Sequence, residues 1–347
     1  MRATFADTEN GELNTVLRRI QEKIILPAYL PDKQRKIVFD PRMRSYLEQN
    51  PIIIEVEGVE HRFSSLNRFK DIQDSKSILN EALQKMESSN DWDNLATLLA
   101  GYKKAGIRLQ PTHWGKIVRL AGETNNIYSI IECAQQASQT GLLLSNPETT
   151  IRILTFVNKK SINAPGDHVQ ANQALRWTEK VMDLLQRSEH ADNEAVTRDR
   201  LHFSKVVRGQ VLLARAAAVK AKQAAGEAVE QQLTLLRDEA ELIQSLWKDA
   251  DGQDVGKLPD FAAVNPVVER ATKKAHNSQR ALSGSGYVLA LSQCVKGLAT
   301  AREVLGADAK GLQKIEESIA NHVKQFISES PEKTKESWIK EFEKTTA

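Results

Sequence analysis

Three groups of basic side chains carry the one chemistry this sequence offers, the neutralisation of phosphate. Lys103, Lys104, Arg108, Lys116 and Arg119 fall between Asp93 and Glu123 with no acid among them. Arg200, Lys205, Arg208, Arg215, Lys220 and Lys222 fall between Asp199 and Glu227, again with no acid. Lys33, Arg35, Lys36, Arg42 and Arg44 are interspersed with apolar residues nearer the N-terminus. The field near a surface depends on clustering, so such stripes can hold an RNA backbone even though 48 basic and 45 acidic residues leave a net charge of only +3. The solvated face of an ordinary helix explains any single stripe equally well. The first and third groups are the candidate RNA-binding residues. Tyr102, Trp114, Tyr128 and Trp177 could add base stacking. Tyr102 and Trp114, however, fall on an apolar helical stripe, where the core is the better reading.

No arrangement of residues supports catalysis. Ser283-Gly284-Ser285-Gly286 contains a Gly-x-Gly, but neither a preceding strand nor the full glycine fingerprint that approaches a pyrophosphate. A flexible loop opening a helix accounts for it. His113 stands beside Trp114 with no carboxylate or second histidine at ligand spacing. Glu132, Asp183, Asp238, Glu239 and Glu241 fall on polar helix faces, where solvation is explanation enough. Cys133 and Cys294 lie far apart inside apolar runs, which predicts buried thiols in a reducing compartment. No metal, cofactor or small-molecule substrate is expected. No stretch reaches the roughly 18 consecutive apolar residues of a membrane span. Asp7, Glu9 and Glu12 exclude a secretory signal and are too acidic for an organellar presequence, so a matrix location expects a presequence removed or outside this sequence.

The elements that must position these groups are helical. Aromatic residues make up 5% of the chain, and Ala, Leu, Glu, Lys and Gln dominate, which is helix-forming material. A near-repeat of about 35 residues links Gly106 to Gly141 and Pro111 to Pro147, the mark of stacked helical hairpins. Leu95, Leu98, Leu99 and Tyr102 set an i, i+3, i+4, i+7 spacing. Trp114-Ile117-Val118-Ala121, Ile127-Ile130-Ile131-Ala134 and Thr150-Ile153-Leu154-Val157 repeat it. Asn146-Pro147-Glu148 supplies an N-cap, an N1 proline and a first-turn acid, and Gly106 and Gly141 fit left-handed C-caps.

Ahead of these helices, residues 1–70 read as an extended arm with one short helix near Leu13–Ile25, followed by a β-hairpin over Ile52–Phe63. Ile54, Val56, Val59 and Phe63 are its candidate buried positions. The arm cannot bury a core alone and orders only against the rest of the protein or a partner. Residues 71–165 form the repeats, and Asn163–Asp167 marks the boundary to a C-terminal helical domain of residues 166–347 with a loop near 249–284. The tail from Pro331 reads as a charged, exposed helix. The predicted class is an all-α helical-hairpin repeat, an α-solenoid with a small N-terminal hairpin.

Two resemblances sharpen this. Ala105-Gly106-Ile107-Arg108-Leu109-Gln110-Pro111-Thr112-His113-Trp114, continued through Ala134 to Thr140-Gly141, resembles a pentatricopeptide repeat, over about two repeats within residues 70–160. His113 and Gly115 depart from that family's small polar pattern, so no base-reading code carries over. An arm with Phe39-Asp40-Pro41-Arg42-Met43-Arg44, a hairpin reading Ile54-Glu55-Val56-Glu57-Gly58-Val59-Glu60-His61-Arg62-Phe63, and Asp91-Trp92-Asp93-Asn94-Leu95 before a degenerate repeat make up a layout that resembles fungal mitochondrial ribosomal large-subunit proteins.

That second likeness implies a non-enzymatic structural component of the mitochondrial large ribosomal subunit, in the mitochondrial matrix, bound to ribosomal RNA and neighbouring ribosomal proteins. A free RNA-processing or translation-activating factor, or a protein–protein helical scaffold, are the alternatives that the residues themselves allow.

Overall fold

In the computed structural model the described residues are 4–72, 74–191, 195–250, 252–268 and 280–347. The first helices are α1 (Gly11–Ile20), α2 (Asp32–Phe39) and α3 (Arg44–Gln49). An antiparallel hairpin follows, β1 (Ile53–Val56) paired with β2 (Val59–Arg62) in the register Ile53–Arg62, Ile54–His61, Glu55–Glu60, Val56–Val59. Next come α4 (Ser75–Lys85), α5 (Ser89–Trp92), α6 (Leu95–Lys104), α7 (Pro111–Glu123), α8 (Ile127–Gln135) and α9 (Ala137–Thr140). Longer helices succeed them: α10 (Pro147–Asn163), α11 (His168–Gln186), α12 (Lys205–Ala224) and α13 (Glu230–Trp247). The last are α14 (Pro259–Ala262), α15 (Gly284–Leu305), α16 (Leu312–Ser328) and α17 (Glu332–Thr346). The expected all-α, helical-hairpin class with one small N-terminal hairpin is what the described residues show.

Contacts gather the chain into two units. One comprises Met1–Leu109 and Glu123–Leu142, the other Gln110–Gly122 and Leu143–Ala347. Helices α7 and α8, successive in sequence, thus belong to different units.

In the first unit, Asn10 caps α1 by accepting from the Leu13 amide at 3.0 Å, and Leu13, Val16, Leu17 and Ile20 bury one face of it. That face meets α4. Leu95, Leu98, Leu99 and Tyr102 of α6 are all buried, as their spacing predicts, and the Tyr102 hydroxyl donates to the Ser75 carbonyl at 2.6 Å. Tyr102 is core. Helices α8 and α9 pack on α6, and Gly106 (φ 73°) and Gly141 (φ 79°) close their helices in the left-handed region, where a Cβ would be strained.

The arm is not extended as expected: α2 and α3 add to its one expected helix, because they can bury an apolar face against the hairpin. Leu26, Leu30, Val38, Leu47 and Phe63 form a small core that Ile54 and Val56 half-cover. Val59 departs from the alternation: it sits beside the turn and is 55% exposed.

In the second unit α15 is enclosed by α12, α16 and α17. Its buried positions run round the helix, every residue from Tyr287 to Val295 being buried, which is why a 22-residue helix shows so little amphipathic contrast. Asn146 accepts from the Thr149 amide at 3.1 Å ahead of Pro147, the predicted start of α10. The segment Asn163–Asp167 is a tight turn between α10 and α11, with Asp167 capping α11. The expected loop near 249–284 contains α14 and a turn at Val255–Lys257, while its residues 269–279 lie outside the described residues. The tail is the expected charged helix, largely exposed, and Trp338 of α17 stacks on Phe326 of α16 with ring centres 5.6 Å apart. Among the described residues no helix is long and apolar enough to cross a membrane.

Candidate nucleic-acid interface

The arm presents its cations outward. On α2, Lys33 and Lys36 are exposed, while Val38 on the opposite face enters the small core. Arg35 pairs with Asp32 at 3.1 Å one turn back, and Arg44 with Glu48 at 3.2 Å one turn on. Both are surface pairs, individually weak and open to exchange. Arg42 is exposed on the turn that Asp40 caps by accepting the Arg42 amide at 3.0 Å. Beside them a groove of about 590 Å3 runs between α3 and the chain leaving β2. Arg44 and Arg62 both line it, together with Ser64, Ser65 and Asn67. Sequence reasoning missed Arg62. Its place in the groove depends on the hairpin register, which sets Arg62 opposite the exposed Ile53.

The stripe between Asp93 and Glu123 is divided between the two units. Lys103, Lys104 and Arg108 belong to the first unit, Lys116 and Arg119 to the second. Lys103 already serves the fold, because its ammonium donates to the Ser138 carbonyl at 2.7 Å and the Ala137 carbonyl at 3.2 Å, tying α6 to α9. Lys104 sits over the Tyr29 ring at 5.0 Å. Arg108 is exposed in the segment after α6. Lys116 and Arg119 are half-buried on α7.

Four of the six cations in the stripe between Asp199 and Glu227 meet acids from elsewhere in the chain. Lys205 meets Asp260 at 3.4 Å, and Lys220 meets Glu303 at 2.6 Å. Arg208 of α12 is hydrogen-bonded to Glu239 of α13, and Arg215 approaches Glu239 at 3.6 Å and Glu179 at 3.7 Å. Glu239 is only 3% exposed, so it lies on no solvated face. Burial pushes its carboxyl above the usual range against the pull of Arg208 and Arg215. A local window without acids therefore says little about charge in three dimensions.

The remaining candidates resolve into structure. Nδ1 of His113 accepts from the Gln110 amide at 3.1 Å, helping to start α7. Ser283 caps α15 by accepting from the Gly286 amide at 3.2 Å, the helix-opening role predicted for the Ser-Gly-Ser-Gly run. Both thiols are buried, and burial pushes Cys294 up to about 12. Among the described residues no group of three or more His, Cys, Asp or Glu side chains could hold a metal ion. Glu148 gave no sign beyond a first-turn acid, yet it is fully buried. Its Oε2 accepts from the Ala281 amide at 2.6 Å, 133 residues away.

A family model described as "Mitochondrial ribosomal protein mS27" matches residues 2–344. A curated relative, the small ribosomal subunit protein mS27 of Neurospora crassa, is 28% identical over 251 residues. That alignment covers 70% of this chain and 62% of the relative, so the chain accounts for less than two thirds of the relative's length. These findings correct the large-subunit expectation. Basic arms and helical hairpins suit either subunit, and no residue spacing specifies which ribosomal RNA they meet. The chain belongs to the mitochondrial ribosomal protein mS27 family, a family of the small subunit rather than the large one.

Proposed function

We propose that this protein is a structural component of the small subunit of the mitochondrial ribosome, anchored to ribosomal RNA through its N-terminal arm. Its family is mitoribosomal, which places it in the mitochondrial matrix. One contrast carries the choice of the arm. Lys33, Lys36 and Arg42 face solvent without an ion pair among the described residues, whereas Lys205, Arg208, Arg215 and Lys220 of α12 meet Glu239, Asp260 and Glu303. The groove beside the arm's cations is lined by Arg44, paired with Glu48, and by Arg62, and its serines and Asn67 add donors suited to phosphate oxygens. Arg108, Lys116 and Arg119 are secondary contacts to the same kind of backbone. The long helices of the second unit serve neighbouring ribosomal proteins.

Reversing Lys33, Lys36 and Arg42 together to glutamate tests this reading. Each phosphate left without its cation should lower the slope of log affinity against log salt by about 0.7–0.9. The triple variant is expected to leave small-subunit particles at lower salt than the unaltered chain in stepped-salt sedimentation. Release at the same salt would remove the arm from the RNA interface. Crosslinking to ribosomal RNA at ribosome stoichiometry, rather than to one messenger or transfer RNA, separates this role from that of a free RNA-processing factor.

A further inference from the structure

The groove of about 590 Å3 beside α3 has a floor unlike its rim. Leu47 and Phe63 are buried and Leu66 is half-buried, so the floor is apolar. Arg62, Ser64 and Asn67 are exposed and make a polar rim. An apolar floor under a polar rim, in a volume within the range of about 300–1,000 Å3 for small-molecule pockets, suits a ring system with a charged attachment. A paired base cannot enter, because both its faces are stacked against neighbours. An unpaired base can be splayed out of the helix and can.

The charges favour a base over a phosphate inside the groove. Glu48 lines it, and its carboxylate accepts from Nε of Arg44 at 3.2 Å, so that pair brings no net charge. A carboxylate on the wall repels a phosphate, whereas it accepts from the amino group of a base. Arg62 forms no ion pair among the described residues, which leaves its guanidinium for the phosphate of the same nucleotide.

A second surface for a base follows in the chain. Phe69, two residues beyond the groove-lining Asn67, is 81% exposed. Its turn is fixed from both sides. The Asn67 side chain accepts from the Phe69 and Lys70 amides at 3.0 and 3.1 Å. Asp71 accepts from the Asn67 amide at 2.9 Å and from the Lys23 ammonium at 2.8 Å. A ring held in place and left in water is a stacking platform that any base can use.

We propose that the groove takes the base of one unpaired nucleotide, with its phosphate on Arg62 and the next base stacked on Phe69. This rests on the reading that the arm anchors the protein to RNA, and it names the kind of RNA: an unpaired segment rather than a duplex.

The test is fluorescence anisotropy of the full chain with two labelled RNA stems, one fully paired and one interrupted by three bulged adenosines. The interrupted stem is expected to bind tighter by about fivefold or more, the gain that one stacked base brings. Ser64→Leu fills the groove and Phe69→Ala removes the platform, and both positions are exposed, so both variants should fold. Each should bring the affinity for the interrupted stem toward that for the paired stem and leave the latter unchanged. Equal affinity of the unaltered chain for the two stems overturns the proposal. The arm then still stands as an anchor if reversing Lys33, Lys36 and Arg42 weakens both. A preference undiminished in both variants overturns it as well. Binding of neither stem overturns the proposal together with the anchoring it rests on.

Discussion

Arg152 of α10 donates from Nη1 to the Gly115 carbonyl of α7 at 2.8 Å, across 37 residues of sequence. Its Nη2 reaches the Ser283 hydroxyl at 3.2 Å, and Glu148, one turn earlier, receives the Ala281 amide. One buried face of α10 therefore holds both α7 and the start of α15. Such charge-assisted bonds to neutral backbone partners are worth about 1.5–3 kcal/mol each.

Gly115 is where that junction is tightest. A Cβ there would collide with the Ala281 carbonyl and lie 2.7 Å from the Ala281 Cα, and backbone cannot swing aside as a side chain can. Gly115→Ala is expected to destabilise the protein by about 1–3 kcal/mol in urea unfolding. Gly11→Ala, where nothing lies within 4 Å, should be neutral or stabilising. Equal effects of the two would show that the α7 junction is loose.

Glu239 lies between two guanidiniums, and removing it leaves both partly buried and less compensated. Arg208 and Arg215 keep 14% and 19% of their side-chain exposure, which tempers the penalty. Glu239→Leu is expected to lose about 3 kcal/mol, the low end for breaking a buried pair. The double variant Arg208→Met with Glu239→Leu should recover part of that loss. A double variant no better than the single would show that the pair carries no coupling.

His322 makes stability depend on pH. Its Nε2 lies 2.8 Å from the Tyr287 hydroxyl, among the rings of Phe261 and Tyr287, with Asp254 and Glu329 nearby. Burial lowers its protonation range below the ordinary 6.5, and the two acids only partly oppose this. As pH falls past about 6.5 the unfolded chain takes up the proton first, so stability is complete above that value and is lost on the way down to the folded one. His202 shifts the same way, through burial and then Arg200 and Arg208. Urea midpoints at pH 7.5 and 5.5 should therefore differ less in His322→Gln than in the unaltered protein, without becoming equal. Identical pH responses would mean that His322 is not held neutral.

Lys103 and Arg108 are equivalent RNA contacts by sequence, and the structure separates them. Lys103→Ala removes a link to two carbonyls at the surface and should cost about 1 kcal/mol. Arg108→Ala, on an exposed segment, should stay within about 0.5 kcal/mol of the parent. Comparable thermal shifts would contradict the structural role of Lys103.

Periodicity makes the helices between residues 75 and 163 legible, because most positions of each i, i+3, i+4 stripe are buried, although Ile78 and Trp114 are only half-buried. By contrast, α2 and α3 lie in a Pro-broken stretch that reads as an extended arm. Tyr102 as core, Gly106 and Gly141 as left-handed caps, and Asn146 as an N-cap all follow from local rules. What local rules cannot see is partnership across the chain. Glu148 and Ala281, or Arg208 and Glu239, carry no mark of each other until the chain folds, so a basic window without acids reads as free charge. The arm's basic positions are visible in sequence, whereas the groove beside them requires the hairpin register. The ribosomal subunit is not legible at all, since phosphate neutralisation is the same chemistry on either RNA.

The proposed anchoring of this chain to small-subunit ribosomal RNA through its arm has one most direct test. Tagged protein in gradient-purified mitochondrial ribosomes is crosslinked by ultraviolet light, and the crosslinked peptides and RNA are both sequenced. Crosslinks between residues 33–44 and small-subunit ribosomal RNA are the predicted result. Migration with the large subunit, or crosslinks confined to a messenger or transfer RNA, would contradict that anchoring.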